Sequence, residues 1–141
     1  QRVWAAGGSL THPGHPCIDQ CMASIQFVNG HVGSWIQGDA GLPMHVSKFF
    51  FQLFSGKGRC VQLTDRLKKA TFTDGERTWV EQRDEEEGFQ LENEQFIGAL
   101  LEGREPKLTV HDAIQATRIV LAADAAIRTG QVQDIAVPVS V

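Results

Sequence analysis

Residues 93–130 read NEQFIGALLEGREPKLTVHDAIQATRIVLAADAAIRTG. Here the hydrophobic period is 3.6, whereas upstream it is two, and that switch decides the fold class. Phe96, Ile97, Leu100 and Leu101 fall on one stripe of a helix over Asn93 to Leu101, and Gly103 stands where a C-cap glycine belongs. Arg104-Glu105-Pro106-Lys107 is the link to a second helix. Thr109 and Asp112 have capping-box spacing, a hydroxyl followed three residues later by a carboxylate. The helix they open is expected to run to about Arg128 and to stop at Gly130. It is rich in alanine, and small side chains let a helix lie close to a sheet, so Ala123 is expected to face one at short range. Gln133 to Val137 reads as a last short strand.

Upstream, the punctuation is that of strands. Cys21 to Phe27 alternates, with Ala23, Ile25 and Phe27 on one face and Ser24 and Gln26 on the other. Asn29-Gly30 then predicts a type I′ hairpin turn, with His31 to Ile36 as the return strand. Lys48 to Phe54 and Arg59 to Leu63 pair around Ser55-Gly56-Lys57-Gly58. Ala70 to Thr73 and Arg77 to Val80 pair around Asp74-Gly75. Arg2 to Ala5 is a further short strand; residues 7–19 and 38–47 are loops, and the acidic run Asp84 to Glu87 is a solvated loop or helix start. At least six strands, paired mainly to sequence neighbours, then two helices, then one strand predict an α+β fold. Its sheet is largely antiparallel, with the helices on one face and the other face open.

The 141 residues, 42% hydrophobic and 21% charged, fit one globular domain and exclude a disordered chain. A net charge of −4 argues against nucleic acid, which needs a concentrated basic patch; Lys68-Lys69 reads as solvated surface. No apolar run approaches the roughly 20 residues of a membrane-spanning helix. Three cysteines, Cys17, Cys21 and Cys60, together with the lack of a leader pattern at Gln1-Arg2-Val3-Trp4, make a reducing cytoplasm the expected location. A first residue of Gln leads us to expect part of a longer chain.

The segment from Asn93 to Ile135 resembles the C-terminal part of the Gfo/Idh/MocA oxidoreductases. Their chains close with a helix and an "EGREP"-like stretch, a capped alanine-rich helix, an "RTGQ" turn and a short strand. Upstream, ASIQFVNGHVGSWIQG resembles the family's hairpin and SKFFFQLFSGKGRCVQLTDRLKKATF its following strand pair. The likeness covers roughly residues 20–137. It implies the second domain of a two-domain enzyme whose first, a Rossmann unit binding NAD or NADP, is absent from this chain. Consistently, no G-x-G-x-x-G lies between a strand and a helix; Gly56-Lys57-Gly58 is followed by a strand. The family's Glu-Lys-Pro lysine motif is scrambled to Glu105-Pro106-Lys107. Its His with an Asp three residues on is not matched by His15, whose Asp19 is four residues on. No catalytic and no cofactor-binding residue is therefore assigned to this chain.

The resemblance implies that loops at one end of the sheet select the substrate, a sugar, inositol or related polyol. His12, His15, Asp39, His45 and Lys48 lie in or beside such loops and are the candidates to hydrogen-bond hydroxyls or a carboxylate. The same loop holds His12, His15, Cys17 and Cys21 in H-x2-H-x-C-x3-C order, a possible soft-ligand set for zinc but with the spacing of no common module; no metal site is assigned. Two other readings stand beside the enzyme domain: a stand-alone, non-enzymatic assembly or ligand-binding domain, and a small metal-binding protein. Because neighbours along a strand alternate faces, helices on one side cannot cover Phe49, Phe50, Phe51, Phe54 and Trp35 together. The family pairs through its open sheet face, so a homodimer is expected, with Trp35 a candidate for that face.

Overall fold

The computed structural model describes residues 1–38, 49–83 and 88–136. Two compact units make up the chain, one formed by Gln1–Gly41 with Leu108–Val141 and the other by Leu42–Lys107. The class is α+β, as the period switch predicts. Among the described residues the strands form two four-stranded antiparallel sheets, one in each unit, where the sequence predicts a single sheet.

In the first unit, strands β1 (Arg2–Gly8), β2 (Gln20–Gln26), β3 (Val32–Gly38) and the two-residue β8 (Gln133–Asp134) are ordered β3-β2-β1-β8. The β2–β3 hairpin forms where expected, but its turn is not type I′. Gly30 alone has positive φ (84°), its N–H bonds to the Phe27 carbonyl, and the Phe27 N–H bonds to the His31 carbonyl. This is a three-residue loop, a type I turn closed by a left-handed glycine, the next commonest hairpin solution. The Asn29 side chain accepts the His31 N–H at 3.1 Å and fixes it.

The register explains which residues are hidden. Ala5 lies opposite Ala23, which lies opposite Trp35; Val3 lies opposite Ile25. These residues face α2 (Val110–Thr129), which presents Ile119, Ala122, Ala123, Ala126 and Ile127, a stripe with helical spacing. Val3, Ala23 and Ala126 are fully buried. Trp35 therefore belongs to the covered side, against the expectation that it lies on the open face. Trp4, one residue out of phase with Ala5, takes the open side with Met22, Val32 and Ile36.

Both ends of α2 are as the sequence dictates. Thr109 accepts the Asp112 N–H, and Asp112 accepts the Thr109 N–H at 2.8 Å, a complete capping box. Gly130 (φ 68°) donates to the Ala126 carbonyl.

In the second unit, β4 (Phe51–Ser55), β5 (Arg59–Thr64), β6 (Lys69–Asp74) and β7 (Thr78–Gln82) pair in sequence order. Leu53, Val61, Phe72 and Trp79 form one row across all four strands, with the Phe72 and Trp79 rings stacked 5.3 Å apart. Helix α1 spans Gly88–Leu101, starting five residues before the expected Asn93. It ends in a Schellman motif, Arg104 N–H to the Ala99 carbonyl and Gly103 N–H to the Leu100 carbonyl.

Ala123 is 2% exposed against the first sheet. Ala123→Leu should overpack that seam and cost about 1–3 kcal/mol in chemical denaturation; a change within about 0.5 kcal/mol would contradict the close approach.

Candidate functional site

Of the five candidate residues, Asp39, His45 and Lys48 lie outside the described residues. The structure brings the other two together in the loop joining β1 to β2. In the sequence His12-Pro13-Gly14-His15, the His15 N–H bonds to the His12 carbonyl at 3.1 Å, and Gly14 has φ 88°. Proline at the second and a left-handed glycine at the third position define a type II turn. It holds the two histidines at its first and last positions, with their Cα atoms within about 7 Å. Both are exposed. The His15 Nδ1 accepts the Cys17 N–H at 3.3 Å. That bond assigns the ring proton of neutral His15 to Nε2, leaving an outward N–H donor.

A carboxylate organises this loop. Asp19, 8% exposed, accepts the N–H of Leu10 on Oδ1 at 2.8 Å and those of Thr11 and His12 on Oδ2 at 3.0 and 2.7 Å. Its own N–H bonds to the Gly8 carbonyl at 3.2 Å. Burial by itself pushes the carboxyl up. The N–H groups of His12, Leu10 and Thr11, with the nearby His12 ring, outweigh burial and hold it below the ordinary carboxylate range. Sequence reasoning used Asp19 only as a failed partner for His15. The available signal was an Asp at the end of a turn-rich loop, where such side chains capture loop N–H groups.

Further bonds close the loop. The Ser9 hydroxyl lies against the carbonyls of His15 and Cys17, and the Gln20 amide donates to the Thr11 hydroxyl at 2.9 Å. At the root, Gly7 faces Cys21, and a Cβ on Gly7 would come within 2.1 Å of the Gln20 carbonyl oxygen. Only glycine allows the strands to meet there.

No group of three or more His, Cys, Asp or Glu side chains suited to a metal occurs among the described residues. The three cysteines are free. A hollow of about 590 Å³ lies on the open face of the first sheet between Trp4, Ser24, Gln26, Val32 and Ser34.

The loop geometry separates the thiols. Cys17 is exposed, whereas Cys21 is buried and its thiol is pushed up by that burial. In the native protein Cys17 should react rapidly with a disulfide reagent and Cys21 only on unfolding; equal rates for the two would contradict the placement.

The sequence matches no family model and no curated protein. Solved structures do match. An oxidoreductase domain protein from Kribbella flavida superposes on 96% of this chain with a TM-score of 0.80 at 14% identity, over 44% of its own length. An oxidoreductase from Agrobacterium radiobacter, solved with NAD+, L-tartaric acid and magnesium, matches 94% of this chain (TM-score 0.76, 13% identity) over 42% of its own. An aldose-aldose oxidoreductase from Caulobacter crescentus, complexed with glycerol, matches 95% (TM-score 0.74, 15% identity) over 41%. This chain thus spans less than half the length of each. These neighbours are Gfo/Idh/MocA-type oxidoreductases, and this chain has the fold of the corresponding part of them.

Proposed function

We propose that this chain is the C-terminal, substrate-side domain of a Gfo/Idh/MocA-like oxidoreductase that acts on a sugar, inositol or related polyol with NAD or NADP. The observation that carries the reading is the superposition of nearly the whole chain on two-fifths of several oxidoreductases. It agrees with a resemblance found independently in the order of sequence segments.

The dinucleotide would lie on the polypeptide that precedes this domain, because the described residues do not fit it. A pyrophosphate needs free N–H groups at a helix N-terminus reached through a glycine turn. At α2 the capping box uses the Asp112 N–H, and the Asp112 carboxylate adds negative charge. Gly56-Lys57-Gly58 joins two strands. The chain's own contribution is the loop at His12 and His15. Two exposed imidazoles held on one turn can donate to and accept from adjacent hydroxyls, or donate to a carboxylate. Asp39, His45 and Lys48 complete the set of substrate contacts in this proposal.

Association is the second contribution. In the second sheet, Phe51 (47% exposed), Leu53 (54%) and Trp79 (43%) share a face with Val61, Leu63 and Phe72. An exposed apolar surface of this kind marks an interface, and we assign it to a homodimer.

The decisive test is the parent enzyme with its preceding domain, assayed for NAD- or NADP-dependent turnover of a polyol panel. His12→Ala with His15→Ala should raise KM on the order of tenfold, the value of one or two hydrogen bonds. An absence of any nicotinamide-dependent turnover would sink the reading. The chain alone should bind no dinucleotide. A site saturated at about 100 times its dissociation constant would add about 2.7 kcal/mol, so a rise of more than about 3 °C in melting temperature with millimolar NAD or NADP would refute the assignment. Light scattering at micromolar concentration should give a dimer; a strict monomer would remove the interface.

A further inference from the structure

We infer that Asp19 is the positioning residue of the ligand loop: by gathering the N–H groups of Leu10, Thr11 and His12 on one buried carboxylate, it presets the His12–His15 turn as a paired-imidazole site for a hydroxyl-rich ligand. This rests on the substrate-side reading given above and adds the residue that makes the site rigid before any ligand arrives.

The geometry is specific. Oδ1 takes one N–H and Oδ2 takes two, all between 2.7 and 3.0 Å. Three consecutive amides pointing at one group form an anion-binding concavity, and here it is filled from within the chain. The last of the three is the amide of His12, the first residue of the turn that ends at His15. The carboxylate is attached to the residue whose own N–H bonds to Gly8, so the anchor is continuous with β1 and β2. Ser9 and Gln20 tie the other side of the loop to the same frame. An eleven-residue loop, 9–19, would otherwise lose much conformational entropy on binding. A loop ordered in advance avoids that cost at the moment of binding. The loop amides of residues 10–12 are also unavailable to an external phosphate. The ligand must instead be read by the two imidazoles, whose nitrogens suit hydroxyls and carboxylates.

Asp19→Asn tests this, because it keeps the shape but replaces one acceptor oxygen by a donor. Hydrogen exchange followed by NMR on the 141-residue chain is the first readout. We expect the amides of Leu10, Thr11 and His12 to exchange on the order of tenfold faster or more, with Ala5 and Ala23 in the strands unchanged. Those strand amides report directly whether the variant is folded. Ser9→Ala is the companion variant and should leave residues 10–12 protected. The second readout is the response of the His12 and His15 ring signals to myo-inositol. In Asp19→Asn the apparent Kd should weaken about tenfold on the same scale, an effect that a purely scaffolding carboxylate would not produce. Unchanged protection at residues 10–12 in folded Asp19→Asn would overturn the inference. So would an unchanged myo-inositol response in the face of lost protection. If the unsubstituted chain gives no ring response to myo-inositol while Asp19→Asn still loses protection, the substrate-side reading fails and the anchoring of the loop by Asp19 remains.

Discussion

The close seating of α2 on the first sheet is the interaction on which that unit depends. Ala123 and Ala126 on the helix meet Val3, Ala5 and Ala23 on the central strands, and all five are at most 3% exposed. Small side chains on both surfaces put the backbones close together, so the seam has little slack for added volume. Larger groups, Trp35, Ile25, Ile119 and Ile127, surround it and fill the space that the alanines leave. Placing the helix also places β8, which follows Gly130 and joins the edge of β1 through Arg2 and Asp134. The first and last described parts of the chain are thereby brought into one sheet.

That frame is what allows the β1–β2 loop to be orderly. The strands are fixed from below by the helix, and their upper ends meet at Gly7 and Cys21. From there the loop rises with three of its amides gathered on a single carboxylate. Buried polar groups are tolerated only when they are paired, and Asp19 meets that condition with three backbone donors. The exposed imidazoles of His12 and His15 thus stand on a loop whose polar core is already satisfied.

The two sheets differ in kind. The first has a covered face with fully buried residues and an open face carrying Trp4, Met22, Val32 and Ile36. In the second, every strand residue is exposed or intermediate; Phe51, Leu53, Val61, Leu63, Phe72 and Trp79 share one side by register, and Phe54 and Val80 lie on the other. An apolar row of Leu53, Val61, Phe72 and Trp79 that stays half-open in the single chain is the physical basis for assigning association to it.

Much of this was legible in the residues. Alternation from Cys21 to Gln26, the glycines at 30, 75, 103 and 130, and the Thr109–Asp112 box are local signals, each acting within a few residues, and they specify strands, turns and helix ends directly. Three matters were not local. Residues 39–50, between β3 and β4, carry no Asn-Gly or Asp-Gly hairpin signal, so the sequence could not separate two four-stranded sheets from one. The side on which Trp35 falls depends on register against Ala23 and on which face α2 covers, and a period of two leaves that sign open. The role of Asp19 depends on where the chain folds back, since its three donors lie seven to nine residues away and gain meaning only when β1 and β2 pair. The sequence by itself determined the elements and their caps, because those energies come from neighbours along the chain. The tertiary structure decided the pairing, the covered face and the anchor of the site, because those energies come from residues that only folding brings together.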